Sequence, residues 1–189
     1  PQQLLVNFMD NHDVPRFLFQ YPDLDRLRSG MSHLLTTHGI PCIYYGTEQD
    51  FAGGPDPSNR EDMWSSGWRQ DGETFRHIQK LIRLRKRFEP LRRGDLRFVW
   101  ATERVNDESD AGIMAYERSY EGQTVLVVLN THGEKASTTS FDNEAMATSF
   151  APGTTLLDAF DGQSTYAVGA EGRLDVEVPP LGVRILVAQ

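Results

Sequence analysis

Apolar positions along the chain follow two patterns, and the change falls near residue 95. In the first part, short apolar runs alternate with helical periodicity. Leu4-Leu5-Val6-Asn7-Phe8-Met9 reads as a short strand, followed by a polar loop from Asp10 to Pro22. Leu24, Leu27, Met31, Leu34, Leu35 and His38 then recur mostly at steps of three and four, which puts them on one face of a helix. Gly39 ends that helix. Ile40-Pro41 leads into a second strand, Cys42-Ile43-Tyr44-Tyr45, closed by Gly46. A glycine- and proline-rich loop runs from Thr47 to about Gln70. Ile78, Leu81, Ile82, Leu84 and Arg85 mark a second helix, about Phe75 to Phe88, with Asp71 as its expected N-cap. Strand, helix, strand, helix is the order of a parallel α/β sheet or barrel. Two such units cannot close an eight-stranded barrel, which takes roughly 250 residues.

The second part is a series of short strands separated by turn residues. The strand candidates are 98–101, 112–117, 124–129, 154–157, 165–167, 174–178 and 183–187. Glu121-Gly122, Pro152-Gly153, Asp161-Gly162 and Glu171-Gly172 supply the turns. Many short strands at near-regular spacing predict an antiparallel β-sandwich. The expected fold class is therefore α/β plus all-β. Residues 1–94 form the last βα units of an incomplete barrel, and residues 95–189 form the sandwich, with Arg92-Arg93-Gly94-Asp95 at the junction. Glu103 to Asp110 is acidic and reads as a mobile hairpin loop. The chain begins at Pro1 and enters a strand almost at once, which reads as a cut end.

The formal net charge of -8 disfavours a nucleic-acid binder and an anionic membrane surface, and it is compatible with a neutral sugar. No stretch approaches the roughly 20 apolar residues that span a bilayer. A single cysteine, Cys42, excludes an internal disulfide and reads as a small buried core residue. Lys80, Arg83, Arg85, Lys86, Arg87, Arg92 and Arg93 read as a solvated, basic helix end favoured by the macrodipole. His33, His38, His77 and His132 lack metal-ligand spacing. Tyr44 and Tyr45 alternate on their strand and read as structural. Trp64 and Trp68 could stack on sugars, but their place between a loop and the last helix favours core packing.

Candidate chemistry gathers in Phe8-Met9-Asp10-Asn11-His12-Asp13-Val14-Pro15-Arg16-Phe17. A strand delivers Asn11, His12 and Asp13 into the loop past its C-terminal end, where α/β barrels assemble active sites. An amide, an imidazole and a carboxylate side by side can hydrogen-bond several hydroxyls of one sugar ring. The same tripeptide can also serve as a turn or a helix cap. Asp56 and Arg60, in Gly53-Gly54-Pro55-Asp56-Pro57-Ser58-Asn59-Arg60, form a second pair in a tight loop. They can bind sugar hydroxyls or bridge each other internally.

FMDNHDVPRF resembles the fourth conserved region of the α-amylase superfamily (glycoside hydrolase family 13). GIPCIYYGTEQ is similar to that family's eighth barrel strand, GGPDPSNREDMW to the loop after it, and LIRLRKRFEPLRRG to the final barrel helix and its exit. VLVVLN, LLDAFDG and VPPLGVRIL resemble pieces of its C-terminal sandwich. The resemblance implies retaining hydrolysis of α-glucosidic bonds in starch-like glucans or maltooligosaccharides. That chemistry uses a nucleophilic carboxylate and an acid/base carboxylate about 5 Å apart. By the same resemblance Asp13 matches the transition-state stabiliser, and His12, Asp56 and Arg60 match substrate-binding positions. Asn11 and Arg16 are supporting.

The family's nucleophile and acid/base motifs are absent, and Gly172-Arg173-Leu174-Asp175 is a decoy in the sandwich half. Both carboxylates are therefore expected upstream of Pro1, and the segment alone is expected to be inactive. The expected partners are an α-glucan and the upstream part of the same polypeptide. No cofactor or metal is expected in this segment, while the resemblance implies calcium as possible in the intact protein. The alternative is a non-catalytic module that binds carbohydrate or stabilises the barrel. A cut barrel would also leave strand edges and an apolar face uncovered, which favours association.

Overall fold

A computed structural model describes residues 4–189. Pro1, the expected cut end, lies outside the described residues. The chain divides into two compact units, one reaching to Arg83 and the other running Leu84–Gln189.

In the first unit, β1 (Val6–Asn7) and β2 (Ile40–Pro41) pair in parallel. Both are shorter than the apolar runs predict. The ladder is extended by Ile40 N–H to Leu5 O and Cys42 N–H to Asn7 O, and the chain then leaves it. Tyr44 and Tyr45 thus lie beyond the strand and do not alternate on it. The strand pair leaves Leu5, Val6, Phe8 and Ile40 about half exposed. Cys42 is exposed too, against the expectation of a buried core thiol, because β2 ends before it.

Between the strands lie α1 (Phe17–Gln20) and α2 (Leu24–Thr36). Asp23 caps α2, its carboxylate accepting the N–H groups of Asp25 and Arg26. Leu27, Met31, Leu34 and Leu35 are buried as the periodicity predicts, while Leu24 stays exposed and His38 falls past the helix end. The next helix, α3, is Glu73–Arg87, and its residues from Leu84 on belong to the second unit. Gly72, not Asp71, precedes it directly, and Arg76 N–H donates to the Gly72 carbonyl. Among the described residues no helix is long and apolar enough to cross a membrane.

In the second unit, α4 (Pro90–Arg93) leads into a six-stranded antiparallel sheet. Its strands are β3 (Asp95–Ala101), β4 (Ile113–Tyr120), β5 (Gln123–Asn130), β9 (Thr155–Asp158), β10 (Thr165–Ala167) and β13 (Val183–Ala188). They lie in the order β10-β9-β13-β5-β4-β3. Glu121 and Gly122, both at positive φ, join β4 to β5 as a two-residue hairpin. Smaller sheets form from β6 (Ser137–Thr138) with β12 (Glu177–Val178), and from β7 (Ser140–Phe141), β8 (Glu144–Ala147) and β11 (Arg173–Leu174).

Ile113, Ala115, Leu126 and Val128 on the large sheet meet Met146, Leu174 and Val178 from the smaller strands, and Val176 between β11 and β12, in one core. This is the sandwich that the strand spacing predicts. Val125, Val127 and Leu129 on the opposite face of β5 are buried as well, and α4 packs against β4 and β5. A strand sealed on both faces explains why VLVVL reads as a continuous apolar run.

One expectation for a polar residue fails in this unit. Arg85 is buried and not solvated; its Nη1 donates to Leu91 O at 2.7 Å. Arg118, fully buried, donates to Leu91 O at 3.1 Å and to Gly94 O at 2.9 Å. Burial, and then the nearby Arg85 charge, push the Arg118 pKa down to about 10. The 103–110 loop is tied down at its end: Asp110 is fully buried, accepting from Trp100 Nε1 at 3.0 Å and Arg104 Nε at 2.8 Å.

Candidate functional site

The turn after β1 presents its side chains outward. Asn11 Oδ1 accepts the Asp13 N–H at 2.8 Å, which closes a local turn. His12 Nε2 lies 3.3 Å from Asp13 Oδ1, and their side chains are 61% and 70% exposed. The two groups can therefore approach one ligand together.

Beneath the turn the polar groups are buried. Asp10 is 3% exposed and accepts Phe17 N–H at 3.1 Å and Thr47 Oγ1–H at 3.2 Å. Arg16, a predicted supporting residue, is fully buried. Its Nε donates to Glu61 Oε2 at 2.8 Å and its Nη1 to Tyr45 O at 2.6 Å. The guanidinium also lies over the rings of Tyr44, Tyr45 and Phe51, at 4.3, 5.0 and 5.4 Å. These partners stabilise the buried guanidinium, and through them Arg16 braces the loops, while its Nη2 is buried without a hydrogen-bond partner. Burial, then the neighbouring Tyr45 hydroxyl, hold the Tyr44 phenol above its ordinary pKa.

The second loop is stitched to the first. Arg16 N–H donates to Gly53 O at 3.0 Å, and Glu61 accepts the Gly53 N–H. A Cβ on Gly53 would stand 1.9 Å from Ser58 O and 2.6 Å from the Glu61 carboxylate, so only glycine lets the loop fold back this tightly. Asn59 is fully buried, and its Nδ2 donates to His12 O and Val14 O, both at 2.9 Å, and more weakly to Asn11 O at 3.4 Å. Asp56 and Arg60 flank Asn59 and pair at 3.0 Å, with side chains 56% and 50% exposed. An exposed pair of this kind contributes about 1 kcal/mol or less, so it stays free to exchange its partner for a ligand hydroxyl.

The sequence-predicted residues His12, Asp13, Asp56 and Arg60 thus lie on two loops joined by direct hydrogen bonds, with Asn11 in the turn and Arg16 below it. Asp10, Thr47, Asn59 and Glu61 were missed. The glycines of the 53–54 pair signalled a tight loop, but no local pattern separates Asn59 from any other loop asparagine. Trp64 and Trp68 are 78% and 58% exposed, against the expected core packing, because Met63–Ser66 forms a surface 3₁₀ turn capped by Asp62. Among the described residues, no group of three or more His, Cys, Asp or Glu side chains is placed to hold a metal ion.

Comparisons with known proteins identify the family of the chain. Residues 104–185 match the family described as Maltogenic Amylase, C-terminal domain. A cyclomaltodextrinase of Geobacillus thermopakistaniensis is 33% identical over 177 residues, covering 93% of this chain and 28% of its own length. An Anoxybacillus α-amylase superposes with a TM-score of 0.80 at 29% identity, over 98% of this chain and 38% of its own. The α-amylase of Geobacillus thermoleovorans, solved in complex with acarbose, superposes with a TM-score of 0.80 at 25% identity, over 99% of this chain and 39% of its own. The chain spans 28% to 39% of the length of these three relatives. It belongs to the α-amylase superfamily and corresponds to the C-terminal portion of that family's members.

Proposed function

We propose that the intact polypeptide is a retaining glycoside hydrolase acting on α-glucosidic bonds of starch-like glucans or maltooligosaccharides. Its nucleophile and acid/base lie upstream of this segment. In this reading β1 and β2 are the last strands of an (β/α)₈ barrel whose other strands precede them. Asp13 grips the hydroxyls of the sugar being distorted, and its charge helps keep a nearby acid protonated. His12 hydrogen-bonds the same ring. Asp56 and Arg60 hold hydroxyls farther from the breaking bond. No dedicated metal belongs to the segment, and any calcium is held by the upstream part.

One observation carries the reading. The His12–Asp13 turn is exposed at the end of a parallel strand and tied by Asn59 to the loop that bears Asp56 and Arg60. The names of the relatives, a cyclomaltodextrinase and an α-amylase bound to acarbose, support the substrate class. The antiparallel unit serves as a structural module, a reading supported by buried Tyr116 and by Trp100 and Tyr166 packed on its core.

Reducing-sugar release from soluble starch tests the proposal. Purified 1–189 is expected to release none. The polypeptide carrying the upstream part is expected to be active, and Asp13→Asn should lower its kcat by about 10²- to 10³-fold, as expected on losing one transition-state contact. Activity in 1–189 alone would place the reacting carboxylates inside it and end this reading.

A further inference from the structure

We infer that Asn59 is a positioning residue for the glycosidic reaction: its amide holds the turn that presents His12 and Asp13, and so fixes where the Asp13 carboxylate meets the sugar. The inference rests on the reading of Asp13 as the transition-state carboxylate.

Three features carry it. First, one nitrogen faces the carbonyl oxygens of Asn11, His12 and Val14. Carbonyl oxygens only accept, so the group facing them must be the NH₂, and the amide orientation follows from the chemistry of its neighbours. Second, the anchor is stiff. Asn59 is fully buried, Ser58 N–H and Arg60 N–H close turns onto Pro55 O and Pro57 O, and Glu61 locks Gly53 to the buried Arg16. A site held by a packed support keeps its geometry; one left to a free loop does not. Third, Asn59 sits between Asp56 and Arg60 in sequence. Asn59 therefore adds, to the ties that Arg16 makes with Gly53 and Glu61, the one that holds the His12–Asp13 turn itself against the loop bearing Asp56 and Arg60.

The reaction is sensitive to such placement, since a shift of about 1 Å can cost about 10²-fold in rate. Asn59→Asp keeps the shape but turns an acceptor with negative charge onto three acceptors, and pushes the turn away. Asn59→Ser shortens the reach and introduces no charge, which covers the case in which the aspartate variant does not fold.

The experiment measures kcat and KM of the polypeptide carrying the upstream part, on a maltooligosaccharide, for both variants in the wild-type and the Asp13→Asn backgrounds. Each is expected to lower kcat by about 10-fold or more with Asp13 present, and by less than about 2-fold in Asp13→Asn, because coupled residues are non-additive. Arg60→Ala, by contrast, should act mainly on KM. An equal loss of kcat in both backgrounds, or a change in KM alone, would mean that Asn59 supports the fold and not the placement of Asp13. If Asp13→Asn is crippled while both Asn59 variants match the wild type, the role of Asn59 falls and the functional reading stands. Unchanged kcat in Asp13→Asn overturns that reading, and this inference with it.

Discussion

The imidazole of His77 lies 2.8 Å from Ser32 Oγ, on the face where α3 meets α2. Burial is the largest influence on it. A contact with the Arg28 carbonyl opposes that influence and the Arg28 and Lys80 charges add to it, leaving the pKa at about 4. The unfolded chain takes up this proton near 6.5, whereas the folded chain resists it until about 4. Stability from this group is therefore complete above pH 6.5 and falls as the pH drops from 6.5 to 4, by about 3 kcal/mol at most. His77→Gln should flatten that limb, as read from urea midpoints at pH 7 and pH 4.5. An unchanged slope would locate the acid sensitivity elsewhere. Single residues were also where sequence patterns misled. Cys42, Trp64 and Trp68 have core-like chemistry yet are exposed, and Arg16 and Arg85 have surface-like chemistry yet are buried. Polarity gives an average preference; the partners that override it, such as Glu61 and the Tyr45 carbonyl for Arg16, come from other segments.

At the level of elements, what was legible depended on length and period. α2, α3 and the long strands β4, β5 and β13 carry enough apolar residues to declare themselves. β6, β7 and β8 do not: each spans two to four residues drawn from a run rich in Ser, Thr and Ala. For β7 and β8 the signal was the turn between them, Asp142-Asn143, where both residues take positive φ, at 51° and 63°. That is the geometry of a two-residue hairpin, which Asn and Asp tolerate. Asn143→Val, with its branched Cβ in the left-handed region, should cost about 1–2 kcal/mol, while Asn143→Gly should stay within about 0.5 kcal/mol of wild type. Denaturant midpoints of the two variants decide it, and equal midpoints would show that the turn conformation is not enforced. The candidate site divides in the same way. Asn11-His12-Asp13 was legible because it follows an apolar run directly. Its support was not, because Asn59 reaches it across 45 to 48 residues of sequence.

For the molecule as a whole, the uneven covering of apolar surface matters most. Val6 in β1, Leu5 and Phe8 beside it, and Ile40 in β2 leave about half of each apolar side chain uncovered on a sheet of two strands. Exposed apolar patches of this kind drive association, and edge strands offer unpaired backbone groups to a neighbour. The net charge of -8 opposes clustering only over a Debye length, roughly 10 Å at 0.1 M salt. Light scattering of purified 1–189 is expected to show a mass that rises with concentration, and replacing Val6 and Phe8 by Ser should reduce that rise. A strictly monomeric wild type across the range would count against it.

The buried guanidinium of Arg118 has a practical corollary. Its acceptors, Leu91 O and Gly94 O, precede the first strand of the large sheet, and a Cβ on Gly94 would stand 2.6 Å from Pro90 O and 2.9 Å from the Ser119 backbone. The short segment ahead of β3 is thus a plug seated in the sheet, and not a tether. Anyone excising the all-β half at residue 95 would amputate that plug and strand a cation in the interior. A cut that spares the plug must fall N-terminal to Leu91, whose carbonyl is one of the two acceptors.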